Sequence, residues 1–222
     1  MKSIRIIDAL HIEETGVLAK TKNGRYQTVH LQQGDLDGAC AVYSTMMILI
    51  MINAVKYNDI SYGGTTYDGR SRIEKLKKEL FEINGLHRDG NHFFHNQYDN
   101  IKDKLERSFG KEVSVVHLNS NEDETVADIQ KQVLNNQPVL ISYASKNGGA
   151  HALVAVGIES DGNDKPTKIL CLDPSYSSPA FTYWNSVIDL KPYKGKYKYR
   201  NITESGKCHY VQLQDILIIS KR

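Results

Sequence analysis

Residues 41–55 narrow the possible folds more than any other part of the chain. They read AVYSTMMILIMINAV, apolar almost throughout and interrupted only by Ser44, Thr45 and Asn53. A helix without a polar side cannot lie on a surface, because every face would put hydrocarbon against water. At fifteen residues the stretch is also shorter than the roughly 20 needed to span a bilayer, so no membrane span is expected. It reads as a core helix that other elements must enclose. A chain of 222 residues can supply that enclosure, and at about 100–200 residues per domain it is expected to form one domain over 1–222.

The enclosing elements come in two styles. Residues 4–12 and 26–31 alternate enough for short strands, with Asn23-Gly24 as a turn between them. From Ser71, the residues Ile73, Leu76, Leu80 and Ile83 recur three or four apart, which is a helical period. A second helix is expected over 92–109, with Ile101, Leu105 and Phe109 on one face. A strand over 113–118 and a helix over 125–134 follow, the latter with Val126, Ile129 and Val133 aligned. After Pro138 the period changes, and 139–143, 152–158, 168–172, 181–184 and 210–219 read as strands. This is an α+β arrangement: a helix-rich lobe over about 33–135 and an antiparallel sheet lobe over about 136–222 plus the N-terminal strands.

Composition removes several function classes. There are 28 basic and 26 acidic residues, a net charge of +2, whereas a dedicated nucleic-acid binder is strongly basic. The run with Lys191, Lys194, Lys196, Lys198 and Arg200 is interleaved with Tyr193, Tyr197 and Tyr199. From Lys194 to Arg200 its period-2 pattern reads as a strand with a solvated charged face over packed tyrosines, so no nucleic acid is expected. The Gly-rich segment 62–70 lacks the lysine spacing of a phosphate loop and reads as a surface loop. Three scattered cysteines are not a disulfide framework, and the first residues carry no apolar leader. A cytoplasmic location follows as the expectation, with delivery to another cell left open.

His87, Asp89, His92, His95 and Asp99 form one metal-like group, with His92 and His95 three apart. It lacks both the His-Glu-x-x-His form and a nearby cysteine, so it reads as a solvated helix start. No metal and no organic cofactor is expected.

The chemistry points instead to Cys40. It opens the core helix, directly after the polar loop Gln32-Gln33-Gly34-Asp35-Leu36-Asp37-Gly38-Ala39. Free N–H groups at a helix start stabilise a thiolate and lower its pKa, with Asp37 or Gly38 placed to cap. The Cys40 N–H is also placed to meet a developing oxyanion. His151 follows Gly148-Gly149-Ala150 and opens a strand, and Asp173 stands twenty-two residues later, before Pro174. Such an Asp orients an imidazole and stabilises its charged form. Gln33 offers a side-chain amide for the oxyanion.

Each residue has a plainer reading: a buried thiol, a core histidine, an Asp-Pro turn. The three in this order outweigh them. His117 and His209 also fall on strand-like segments, but neither is followed by a strand and an Asp-Pro corner. Cys171, in an apolar strand, and Cys208, near the tail, read as inert.

The order Gln, Cys at a helix start, His on a strand and Asp on the next strand resembles papain-like cysteine peptidases, most closely the peptidase C39-like group. The matching words are Gln33…Asp37-Gly38-Ala39-Cys40, Gln137-Pro138-Val139-Leu140-Ile141, His151-Ala152-Leu153-Val154-Ala155-Val156-Gly157 and Leu172-Asp173-Pro174. The resemblance implies a papain-like fold in which Cys40 attacks an amide carbonyl, His151 shuttles the proton, Asp173 aligns it and Gln33 helps hold the oxyanion. It implies a protein or peptide substrate, and a bacterial effector-type relative that deamidates, transglutaminates or transfers acyl groups is the alternative. A non-catalytic binding module of the same fold is the other.

Two departures stand out. Gln33 is seven residues before Cys40, one further than the family's usual spacing, with Gln32 as its neighbour, and Ala41 replaces the usual glycine after the cysteine. The chain shows no transporter or ATPase segment, so double-glycine leader cleavage is not expected to carry over.

Overall fold

A computed structural model of the chain describes residues 1–34, 39–61, 71–77, 80 and 97–222. The chain opens with β1 (Ser3–Ile6), then a three-stranded antiparallel meander of β2 (Leu10–Glu13), β3 (Gly16–Lys20) and β4 (Tyr26–Thr28). The apolar stretch forms α1 (Cys40–Met51), followed by α2 (Tyr57–Ser61), α3 (Arg72–Lys77) and α4 (Gln97–Phe109). Then come β5 (Val113–Leu118), α5 (Glu122–Leu134), β6 (Val139–Ser145), β7 (Ala150–Ser160) and β8 (Pro166–Leu172). The chain ends with β9 (Ser186–Asp189), β10 (Tyr199–Thr203) and β11 (Cys208–Lys221).

Six strands close on one another. β6 pairs with β7, β7 with β8, and so on through β9, β10 and β11 back to β6, every pair antiparallel. Closure removes edges within this set, and β1 and β5, each paired on one side, lie at its margins. The eleven-residue β7 makes closure possible. Its first half, from Ala150 to Ala155, pairs with β6, and its second half pairs with β8 on one side and β1 on the other. β11 does the same for β6, β10 and β5.

α1 is buried at every position except the half-buried Tyr43. It packs on β6, β7 and β3. One hydrophobic cluster runs from α1 through Leu76, Leu80, Ile101, Leu105, Ile129 and Val133 to the strands. Residues 216–219 of β11 are all buried, so both faces of that stretch are covered. No helix among the described residues is long and apolar enough to cross a membrane.

The mixed α+β class holds, but the division into halves is less clean than expected. β5 lies inside the helix-rich half yet pairs with β11 as part of the sheet, and α5 packs on the same sheet. The sequence pattern missed β3 because residues 16–19 are buried without alternation. The Asn23-Gly24 turn therefore joins β3 to β4, with Gly24 at φ 77°.

Residues 181–184 form no strand. Phe181 is exposed, and the ladder starts only at Ser186, where Cys171 and Thr203 supply partners. The basic run is also no strand until Tyr199: Lys196 lies over the Tyr197 ring, Lys198 pairs with Glu122 and Arg200 with Asp189. α5 begins before residue 125, because Asn121 caps it by accepting the Glu124 N–H at 3.0 Å and three acidic side chains fill its first turn. The segment 62–70, Ile83 and the first residues of the helix expected over 92–109 lie outside the described residues.

Gly157 marks a tight passage between β7 and β1. A Cβ there would stand 2.9 Å from the Arg5 carbonyl oxygen and press on the Ile6 side chain. Overpacking of this kind costs about 1–3 kcal/mol. Gly157→Ala is expected to lower the melting temperature by roughly 2–10 °C. A circular-dichroism melt beside wild type checks it, and an unchanged midpoint would remove the close approach from the account.

Candidate active site

Cys40 is the first residue of α1, and the N-cap position is Ala39, which gives no side-chain cap. Asp37 and Gly38, the expected caps, lie outside the described residues. His151 is the second residue of β7, just past the β6–β7 turn. Gly148 and Gly149 sit in that turn at φ 89° and 83°, the left-handed region that glycine adopts without strain. Across the ladder His151 faces Tyr143, and their rings meet edge to face at 5.6 Å. Asp173 lies one residue past the end of β8 and is 1% exposed.

These three elements converge. His151 Nε2 donates to Asp173 Oδ1 at 2.7 Å, and Asp173 Oδ1 also accepts the Ser175 N–H at 2.9 Å. The His151 side chain and the Ala152 backbone are the groups that act on the Cys40 thiol. Since Nε2 serves Asp173, Nδ1 is the ring nitrogen left for Cys40.

The electrostatics follow from burial set against neighbouring charge. Burial alone pushes the Cys40 thiol up, but the charge of His151 and the hydrogen bonds from His151 and Ala152 outweigh it, and the net shift is down. For His151, burial pulls down, while the Asp173 carboxylate, the Cys40 thiolate and both hydrogen bonds lift it well above the ordinary imidazole value. Opposite shifts in a contacting pair favour thiolate and imidazolium together.

Gln33 is half-buried against the Asp173 corner. Its N–H donates to the Pro174 carbonyl at 2.8 Å and its Nε2 to Ser175 Oγ at 2.9 Å, while Gln32 is exposed.

Two residues with no functional signal in the sequence complete the surroundings. His30 Nε2 lies 3.1 Å from the Asp173 carbonyl oxygen, and Asn185 bonds both peptide groups of Asp173. His30 falls in the segment 26–31 read as a strand and Asn185 in no motif, and neither reading tied them to the site.

The other cysteines stand apart. Cys171 is fully buried and burial pushes its thiol well up, and Cys208 is exposed. Of the metal-like group, His87, Asp89, His92 and His95 lie outside the described residues. Asp99 Oδ1 instead meets His117 Nδ1 at 2.8 Å. Among the described residues, no three His, Cys, Asp or Glu are placed to hold a metal ion.

A model of the Peptidase_C39 like family matches residues 24–205, a span that includes Gln33, Cys40, His151 and Asp173. The chain belongs to this family. No curated protein matches the chain. Among solved structures, the crystal structure of UfSP from C. elegans is similar at 13% identity with a TM-score of 0.43. That match covers 99% of this chain and 34% of the other, so this C39-like chain spans about a third of that protein's length.

The Asp173 charge is the first of the influences that lift His151, so removing it has a definite sign. In wild type, His151 is expected to stay protonated past its ordinary titration range. Asp173→Asn is expected to move the midpoint down, so the imidazolium is lost at lower pH. A proton NMR titration of the His151 ring reads this directly, and coincident curves would contradict it.

Proposed function

We propose that this C39-like hydrolase cleaves a peptide or isopeptide amide through a Cys40–His151–Asp173 triad and a thioester acyl-enzyme. The observation that carries the reading is the 2.7 Å hydrogen bond from His151 to Asp173 beside Cys40, with the thiol drawn down by the His151 charge and the imidazole raised. The layout we infer is papain-like, with α1 leading a helical lobe packed on the sheet lobe and the site at the junction.

The chemistry runs in two halves. The Cys40 thiolate attacks the amide carbonyl carbon, and the oxygen becomes an oxyanion held by the Cys40 N–H and the Gln33 amide. Among the described residues, Ser175 takes one of the two Gln33 amide hydrogens, which leaves the other for this role. His151 then gives its Nδ1 proton to the leaving amine, the C–N bond breaks and a thioester remains. Water enters, His151 Nδ1 takes its proton, and hydroxide adds to the thioester carbonyl. The C–S bond breaks, which restores the thiolate and the imidazolium and releases the acid. Asp173 keeps the ring oriented and its charge balanced throughout.

Alkylation of Cys40 by iodoacetamide, followed by site-specific mass spectrometry across pH, tests the pair. Rapid reaction well below about pH 8.5, the midpoint of a free thiol, is expected. His151→Ala removes the charge that draws the thiol down and leaves burial, so the midpoint must rise. Ordinary thiol behaviour in wild type, unaffected by His151→Ala, would overturn the triad. Product mass on a cleaved substrate then separates hydrolysis from deamidation and acyl transfer, which share the thioester.

A further inference from the structure

Asp173 lies just beyond β8, where the strand ladder has ended. Its peptide N–H and C=O therefore have no strand partner, yet its carboxylate must meet His151 within hydrogen-bond reach. The Asn185 side chain supplies the missing rung. Asn185 Oδ1 accepts the Asp173 N–H at 2.7 Å, and Asn185 Nδ2 donates to the Asp173 carbonyl at 3.0 Å. The last true rung is made by the backbone of the same residue, whose N–H donates to the Cys171 carbonyl at 3.1 Å. The second Nδ2 hydrogen reaches the Ser177 carbonyl at 3.0 Å and closes the turn after Asp173.

His30 reaches the same carbonyl, which also accepts the Tyr176 N–H at a longer 3.4 Å. Its Nε2 lies 3.1 Å from the Asp173 oxygen, which can only accept, so His30 carries its proton on Nε2. Asn185 Nδ2 is 3.2 Å from that nitrogen, but both of its hydrogens are already committed, so this is a packing contact. His30 is 5% exposed and Asn185 2% exposed. Burial draws the His30 pKa down and keeps the ring neutral beside the triad. Three residues on, Gln33 binds the carbonyl of Pro174 and the hydroxyl of Ser175. The segment from His30 to Gln33 thus grips the segment from Asp173 to Ser175 at successive points.

We propose that His30 and Asn185 are positioning residues that act through Asp173, fixing the peptide on which its carboxylate turns toward His151. The proposal rests on the triad reading above. A carboxylate 1% exposed, with Oδ2 unpartnered among the described residues, has few bonds of its own to hold it. Its aim is set by its backbone, and the shortest bonds to that backbone's own N–H and C=O come from the Asn185 and His30 side chains.

The test is the His151 ring titration by NMR, on folded proteins verified by circular dichroism. His30→Phe keeps a ring of similar size without the donor, and Asn185→Ala removes the rung. Each is expected to lower the His151 midpoint by about one pH unit, a tenfold change in proton affinity. His30→Gln offers an amide donor near the same place and is expected to restore the wild-type midpoint. In an Asp173→Asn background, His30→Phe should shift nothing further.

Folded His30→Phe and Asn185→Ala proteins with wild-type midpoints would overturn the proposal. So would a shift that persists without the Asp173 carboxylate. If Asn185→Ala does not fold, Asn185→Leu keeps the volume, loses both donor and acceptor without adding a charge, and replaces it in the test. If His30→Phe and His30→Gln both fail to fold, the role is structural and the proposal falls. An ordinary His151 midpoint in wild type, indifferent to Asp173→Asn, would instead defeat the triad itself.

Discussion

The absence of a polar side on α1 sets the terms for everything around it. Eleven of its twelve residues are buried, so the helix gains its stability from enclosure rather than from amphipathic contrast. Enclosure requires material on all sides. β6 and β7 of the closed strand set and β3 of the meander pack on the helix, and Leu76 of α3 and Ile101 and Leu105 of α4 belong to the same hydrophobic cluster. A helix held that firmly has a fixed first residue, and that residue is Cys40. The position of the thiol is thus a by-product of core packing, and the functional groups are brought to it rather than the reverse.

What they meet is a place where charge is expensive. Taking an ion out of water costs several kcal/mol even after relaxation, and two unit charges at 4 Å recover about 4 kcal/mol at an effective dielectric of 20. The two are near balance, so hydrogen bonds decide the outcome. His151 spends Nε2 on Asp173, and its ring together with the Ala152 backbone acts on the Cys40 thiol. With those interactions the pair is shifted toward its charged form despite burial. Neither titration belongs to one residue alone, because each charge is part of the other's environment.

Much of this was legible in the sequence, for reasons that can be named. Long amphipathic or wholly apolar segments announce themselves by period, which is why α1, β5 and the buried faces of α4 and α5 fall near their expected places. The order of Cys40, His151 and Asp173 at the ends of elements could be read from residue types, and the structure brings His151 and Asp173 within 2.7 Å. β3 was not legible, because a strand buried along its length shows no alternation. Residues 181–184 misled because aromatic side chains favour strands only when a partner backbone is present, and theirs begins at Ser186. Barrel closure was invisible, since it depends on β7 and β11 changing partners along their length. His30 and Asn185 were invisible for a different reason. Their work is done on backbone atoms, which carry no sequence, at a distance of 143 residues in one case.

That last point bears on how such a site tolerates change. A triad written only in side chains would be robust to anything that left those side chains in place. Here the aspartate sits where the regular ladder has already stopped, and an asparagine side chain stands in for the next strand residue. Strand backbone is insensitive to sequence, but a side-chain rung is not, and only an amide offers an acceptor and a donor at the right separation. The neutral His30 adds a donor without adding a charge to compete with His151 for the same carboxylate. The constraint that keeps Cys40 fixed is spread over many apolar contacts and no single one is indispensable. The constraint that keeps Asp173 fixed is concentrated in a few hydrogen bonds. The two ends of the line through His151 are therefore held by different physics, one diffuse and one local. The local end is where a single substitution reaches furthest.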